Sequence, residues 1–251
     1  MVVVRILVNA LIMASELIAV AAVAWLGLHF PLHFAIGTAV LAFALGLALE
    51  HARLKHELPF YFGGSSPQAG LLVPVVALTS ALVRAAVAGL VALLTFSGTD
   101  AQRLVWVAIV FGATLYLATS LLRLLTVRLE ARPARWGYFR LGAPLGVMFS
   151  LGLAFAQAIG RVPTPGLTDL GRTILFDTPA RPSLEQASEL LFQLKLYIDS
   201  VIVTLLKTVM SVEWAQTLGL LLSVNVLTGF VVALYAVLIA EAVVKAEDVL
   251  L

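Results

Sequence analysis

Two charged side chains stand where hydrocarbon makes charge costly. Glu16 lies about ten residues into the apolar run "ILVNALIMASELIAVAAVAWLGL", and Arg84 about thirteen into "LLVPVVALTSALVRAAVAGLVALLTF". If these runs cross a bilayer in the same direction, both charges fall within about 5 Å of the same depth at 1.5 Å per residue. A lone charge at mid-span costs roughly 2.5–3.5 kcal/mol on insertion scales. Pairing a guanidinium with a carboxylate is the cheapest remedy. The placement predicts a Glu16–Arg84 pair inside a helical bundle. Such a pair can be a structural clamp, a permeation or proton-relay site, or a contact with a partner subunit.

A second group of polar residues lies in "LKLYIDSVIVTLLKTVMSVEW", 194–214. Its length suits a membrane span, but Lys195, Asp199 and Lys207 do not suit lipid. At helical period Gln193, Tyr197, Ser200, Thr204, Lys207, Thr208 and Ser211 share one face. Leu194, Ile198, Val201, Ile202, Leu205, Leu206, Val209 and Val212 share another. A helix with one polar stripe wants water or polar protein along it. It can lie in the interface, line a cavity, or enter part-way as a re-entrant segment; an interfacial or half-inserted helix is the reading favoured over a true seventh span. Asp199, Ser200, Thr204, Lys207, Thr208 and Ser211 are therefore candidates for a pore or partner face. Asn225, beside Ser223 and Thr228 in the next apolar run, joins them, because asparagine at such depth either hydrogen-bonds across helices or lines a pore.

Other chemistry finds no foothold. The chain has no cysteine, which rules out disulfides and thiolate ligands. It has no Walker A loop, nucleophile elbow, His-Glu-x-x-His or glycine-rich dinucleotide turn. His29 and His33 flank Pro31, and His51 and His56 belong to the other side of the expected membrane, so the histidines read as interfacial residues. No cofactor is expected. The basic residues sit between apolar runs, where they set topology, so no nucleic-acid face is expected either.

The elements that must position these residues follow from composition. Of 251 residues, 61% are hydrophobic and 12% charged, about half the charge of a soluble domain. The expected fold is all-α: one integral membrane domain over 1–251, a polytopic helical protein. Six spans are predicted, near 6–28, 34–52, 71–96, 104–127, 141–160 and 217–243. The long outer connection 161–216 would carry an amphipathic or re-entrant helix over 184–212, opened by a capping box from Ser183 to Gln186. "HFPLH" (29–33) reads as a tight turn, 51–70 as a longer loop with a "GGSSP" turn, and "RLEARPARWGYFR" (128–140) as an arginine-rich loop. Small residues at four-residue spacing (Gly142, Gly146, Ser150; Gly152, Ala156, Gly160; Ala42, Gly46) predict close helix packing.

With six spans, Arg5, Arg53, Lys55, Arg128, Arg132, Arg135, Arg140 and Lys245 share one side. The positive-inside rule places that side, and both termini, in the cytoplasm, in a membrane of the bacterial inner type.

From 141 onward the order is membrane helix, outer loop, amphipathic helix, short break, membrane helix. This layout, with "LYIDSVIVTLLKTVMSVEW" before the last span, resembles the pore unit of tetrameric cation channels, and with four preceding spans it resembles a six-helix channel subunit. The likeness covers about the last 110 residues. At the filter's place the chain reads Thr208-Val209-Met210-Ser211-Val212, without glycine. The resemblance implies a channel-like or transport protein that self-associates. The alternative is a non-catalytic membrane subunit or scaffold, packing against other membrane subunits through its small-residue stripes and outer helix. Neither of these two readings makes the chain an enzyme; a membrane enzyme or redox anchor is the remaining class, with no motif in its favour.

Overall fold

The computed structural model describes residues 2–62, 69–96, 101–160 and 183–250. The "GGSSP" turn and the connection 161–182 lie outside the described residues. All the elements within them are helical: α1 (Val2–His29), α2 (Pro31–Phe62), α3 (Ala69–Phe96), α4 (Ala101–Leu129), α5 (Pro133–Arg140), α6 (Gly142–Ala158), α7 (Leu184–Val209), α8 (Val212–Leu222), a 3-10 turn (Val224–Leu227) and α9 (Thr228–Leu250). Five helices are long and apolar enough to cross a membrane, and a bent pair, α5 with α6, can supply a sixth. The chain is thus a polytopic helical membrane protein.

The spans alternate in direction. Gly112 of α4 lies against Val20 and Ala24 of α1, while Glu16 meets Arg123, so α1 and α4 are antiparallel. In the α2–α3 hairpin Gly89 faces Ala35 and Ala39, and Gly46 faces Ala81. One end of the bundle therefore holds Arg5, Arg53, Lys55, Arg128 and Lys245 (the basic end). The opposite end holds the α1–α2 corner and the start of α4. That corner is a single residue, Phe30, before Pro31 opens α2, a position where proline's missing N–H costs nothing.

Three departures from the sequence reading have local causes. First, α2 does not stop near 52 but continues to Phe62. Arg53 bonds to Glu57 at 2.6 Å and sits 3.8 Å from Glu50, and such i,i+3 and i,i+4 pairs support a helix beyond lipid. Second, the arginine-rich "loop" contains α5. Gly137 packs so closely that a Cβ there would be 2.7 Å from Leu122. The span expected at 141–160 is the second limb of a broken helix, bent by 57°. Pro144 accounts for the bend, because it cannot donate to the Arg140 carbonyl and its ring crowds that group. Third, the last predicted span, 217–243, is not one helix. It breaks at Ser223, whose backbone is extended, and passes through the 3-10 turn before α9.

The two broken helices cross at their breaks. A Cβ on Gly146 would overlap the Val226 carbonyl oxygen and lie 2.8 Å from its carbon; one on Gly229 would overlap backbone atoms of Gly142 and Gly146. This is the small-residue stripe of α6 at work. Beside the crossing, rings from five helices close the core. Phe34, Phe96 and Phe111 are mutually edge-to-face at 5.2–6.1 Å, Phe149 meets Phe111 at 6.4 Å, and Tyr235 stacks on Phe34 at 5.2 Å. Hydroxyls tie the last span in. Tyr235 shares a 2.8 Å hydrogen bond with Thr38, and Thr228 one of 2.9 Å with Thr95.

Candidate functional site

Polar groups inside the bundle gather in two places. Toward the basic end, Arg123 of α4 donates to Glu16 of α1 at 2.8 Å and to Glu247 of α9. Glu16 is 2% exposed, and its second oxygen has no hydrogen-bond partner. Nearby, Arg84 of α3 pairs with Glu50 of α2 and lies over the Phe139 ring at 5.4 Å. The expected Glu16–Arg84 pair is therefore replaced by two separate centres. Each charge is paired as the cost of burial requires, but with a different partner. α1 packs along α4, and α3 along α2, so equal depth did not mean adjacency. Glu50 is within reach because an arginine stem extends toward the helix end.

At the opposite end a junction forms where α7 meets the start of α4 and the break before α9. Its floor is Phe192, with the Arg103 guanidinium 4.3 Å and the Lys195 ammonium 5.6 Å from the ring centre. Burial, first, and the Arg103 charge push the Lys195 ammonium down to about 8, against an upward pull from Asp199. Asp199 holds the break. One carboxylate oxygen accepts from Ser223 Oγ at 2.8 Å, and the other from the Val224 N–H at 3.0 Å. Ser223 Oγ in turn accepts from the Asn225 backbone N–H at 3.1 Å and from its side-chain Nδ2 at 2.9 Å. A helix start left open by the missing turn is thus capped from its own chain and from α7. Two buried amide oxygens, Gln193 Oε1 and Asn225 Oδ1, have no hydrogen-bond partner.

The structure brings Asp199 and Asn225 into this junction and leaves the other candidates outside it. The hydroxyls of Ser200, Thr204 and Thr208 donate back to carbonyls of their own helix, at 2.9, 2.8 and 2.6 Å. Lys207 and Ser211 are exposed. The place matched to a channel filter consists of the last two residues of α7, the two-residue break Met210–Ser211 and the first residue of α8. The sequence reading missed Arg123, Glu247, Arg103 and the inward role of Lys195. Ser188, Phe192, Lys195 and Asp199 recur at the spacing of one helix face, and that was the available signal. His29 Nδ1 is 3.1 Å from the Trp25 carbonyl, and its ring stacks on that indole.

Chemically, neither centre pairs a nucleophile with a base, and no cluster of three metal-ligating side chains occurs among the described residues. What the junction offers is a polar lining and unwound backbone next to a helix crossing. No protein-family model, curated protein or solved structure matches the chain.

Proposed function

We propose that this chain is an integral membrane transport protein, channel-like in plan, whose passage is controlled where its two broken helices cross. The observation that carries the reading is the meeting of the two breaks, Gly142–Gly146 on α6 and Ser223–Leu227 before α9. Unwound backbone beside lipid is stable only against protein or water, and discontinuous helices are how transporters expose carbonyls and helix ends to a solute. The orphaned Asn225 oxygen and the Asp199 carboxylate border the same break. The aromatic cluster fills the other side, so this conformation is a shut one. On this reading the basic end faces the cytoplasm with both termini, and copies associate through their apolar flanks.

A second reading has its own support. In both charge centres every charged side chain meets an opposite charge from the same chain, as in a non-catalytic subunit or scaffold that needs only to be stable. Purified protein in liposomes separates the two. Flux of potassium, chloride or protons above that of empty liposomes, altered by Asp199→Ala, supports transport. Silent liposomes, with a foreign membrane subunit co-purifying in fixed ratio from native membranes, support the scaffold.

A further inference from the structure

Helix α7 presents three faces, and each asks for a different surrounding. Ser188, Phe192 and Lys195 turn inward, at 9, 6 and 5% exposed. At 3.6 residues per turn, Leu191, Leu194, Ile198 and Leu205 form a flank about 95° to one side of that face, and all four are exposed. Thr204, Lys207 and Thr208 form a second exposed flank about 145° to the other side. The inward face is the more polar of the first two. That inverts the order of a helix on a soluble domain, where the apolar side is the one buried.

We infer that α7 lies in the plane of the bilayer interface at the end of the bundle opposite the basic end, its Leu191–Leu205 flank among acyl chains and its Thr204–Thr208 flank in water. The orientation rests on two anchors. Phe192 sits against Arg103, near the start of α4, and Asp199 against Val224, just ahead of α9. Both anchors belong to the same end of the bundle, so the helix runs across the span ends rather than beside a span. The occupant of the apolar flank is lipid. Within two turns of the Arg103 contact with Phe192, α4 carries exposed Val105 and Ile109, aliphatic side chains of the lipid-facing kind, and the other exposed flank of α7 carries the Lys207 charge. Full insertion would bury Lys207 in hydrocarbon. Trp214, 65% exposed in the first turn of α8, is the residue type that favours this boundary. The inference is independent of the transport reading.

The absence of native cysteine makes the test clean. Single cysteines replace Leu194, Ile198 and Leu205 on one flank and Ser200, Thr204 and Lys207 on the other. Each carries a nitroxide in the full chain, reconstituted in phosphatidylcholine–phosphatidylglycerol liposomes. Power saturation compares collision with oxygen and with a nickel chelate. Expected is oxygen in severalfold excess at the first three sites and nickel in excess at the last three. Nickel access at all six sites would lift the helix off the membrane, and oxygen excess at all six would make it a span. Shielding from both at the apolar sites would put protein, a partner or a second copy, where lipid is inferred. Each of these outcomes overturns the proposal. A variant that loses the parent's gel-filtration profile is replaced by labels at Leu191 or Thr208, which read the same two flanks.

Discussion

Gly146→Ala adds one methyl group at the helix crossing, and the structure leaves no place for it. The new Cβ would overlap the Val226 oxygen and stand 2.8 Å from its carbonyl carbon and 3.1 Å from its Cα. The carbon–carbon approach is roughly 0.7 Å short of ordinary contact. All three atoms are backbone, so no rotamer change relieves the overlap, and α6 and the 3-10 turn must separate. Overpacking a core typically costs 1–3 kcal/mol; with backbone on both sides we expect about 3 kcal/mol or loss of the folded chain. Other glycines in the same protein supply controls. At Gly152 the new methyl would be 2.6 Å from Val110 Cγ1, a side-chain atom that can move, so about 1 kcal/mol is expected. Gly37 has nothing within 4 Å and lies inside α2, so Gly37→Ala should stabilise by about 0.5–1 kcal/mol through helix propensity. Thermal unfolding of the three variants in one detergent should rank Gly37→Ala above the parent, Gly152→Ala slightly below it, and Gly146→Ala far below. A Gly146→Ala protein as stable as the parent would refute the close crossing, and with it the proposed control point.

Arg123→Met strands Glu16 and Glu247 without their cation and should cost about 3–5 kcal/mol; adding Glu16→Gln and Glu247→Gln should recover most of it, and absence of that rescue in melting temperature would deny the triad. Arg84→Met should cost less, because the Arg84 side chain is 34% exposed and Glu50 is left facing one cation fewer near the basic end. Asp199→Ala removes two hydrogen bonds at the break and should cost about 1–3 kcal/mol, with faster amide exchange over Val224–Leu227 than elsewhere in the chain; uniform exchange would mean the break holds itself. Lys195 titrates near 8 in the folded protein, below the ordinary lysine value near 10.4. The unfolded chain therefore holds more protons between those values, so stability should rise from about pH 8 toward 10 and owe nothing to this residue's titration below that window. Lys195→Met should flatten the rise and stabilise the protein at pH 7, by about 3 kcal/mol at the outside; a slope unchanged by the substitution would place Lys195 elsewhere.

What could be read from the sequence was local or compositional. Run length located the spans, and the Ser183–Gln186 capping box is present in both directions, at 2.9 and 3.3 Å, because cap chemistry depends on three residues and nothing else. The bend at Leu141 was legible in Pro144, and the break before α9 in the polar trio Ser223, Asn225 and Thr228, which the apolar run around them masked. Partner choice was not legible. Depth along a span is one coordinate of three; Glu16 and Arg84 agree in that coordinate and differ in the other two, which only packing determines. The same limit hid the junction. Arg103 and Lys195 stand on separate apolar runs, and their shared ring, Phe192, is brought between them only by the return of the chain across the bundle.

The helix most enclosed by the others is α9, where Val231, Val232, Ala236 and Val237 are shielded completely, and it follows all eight others along the chain. A ribosome therefore delivers α1 to α8 before α9. Until α9 arrives, Thr38, Thr95 and Phe34 lack their partners on it, and Arg123 has only one of its two carboxylates. The earlier helices must wait in the insertion machinery or in lipid as a loose assembly, and α9 locks them from within. Nascent chains stalled before residue 228 should accordingly remain open to membrane proteases that spare the full-length protein.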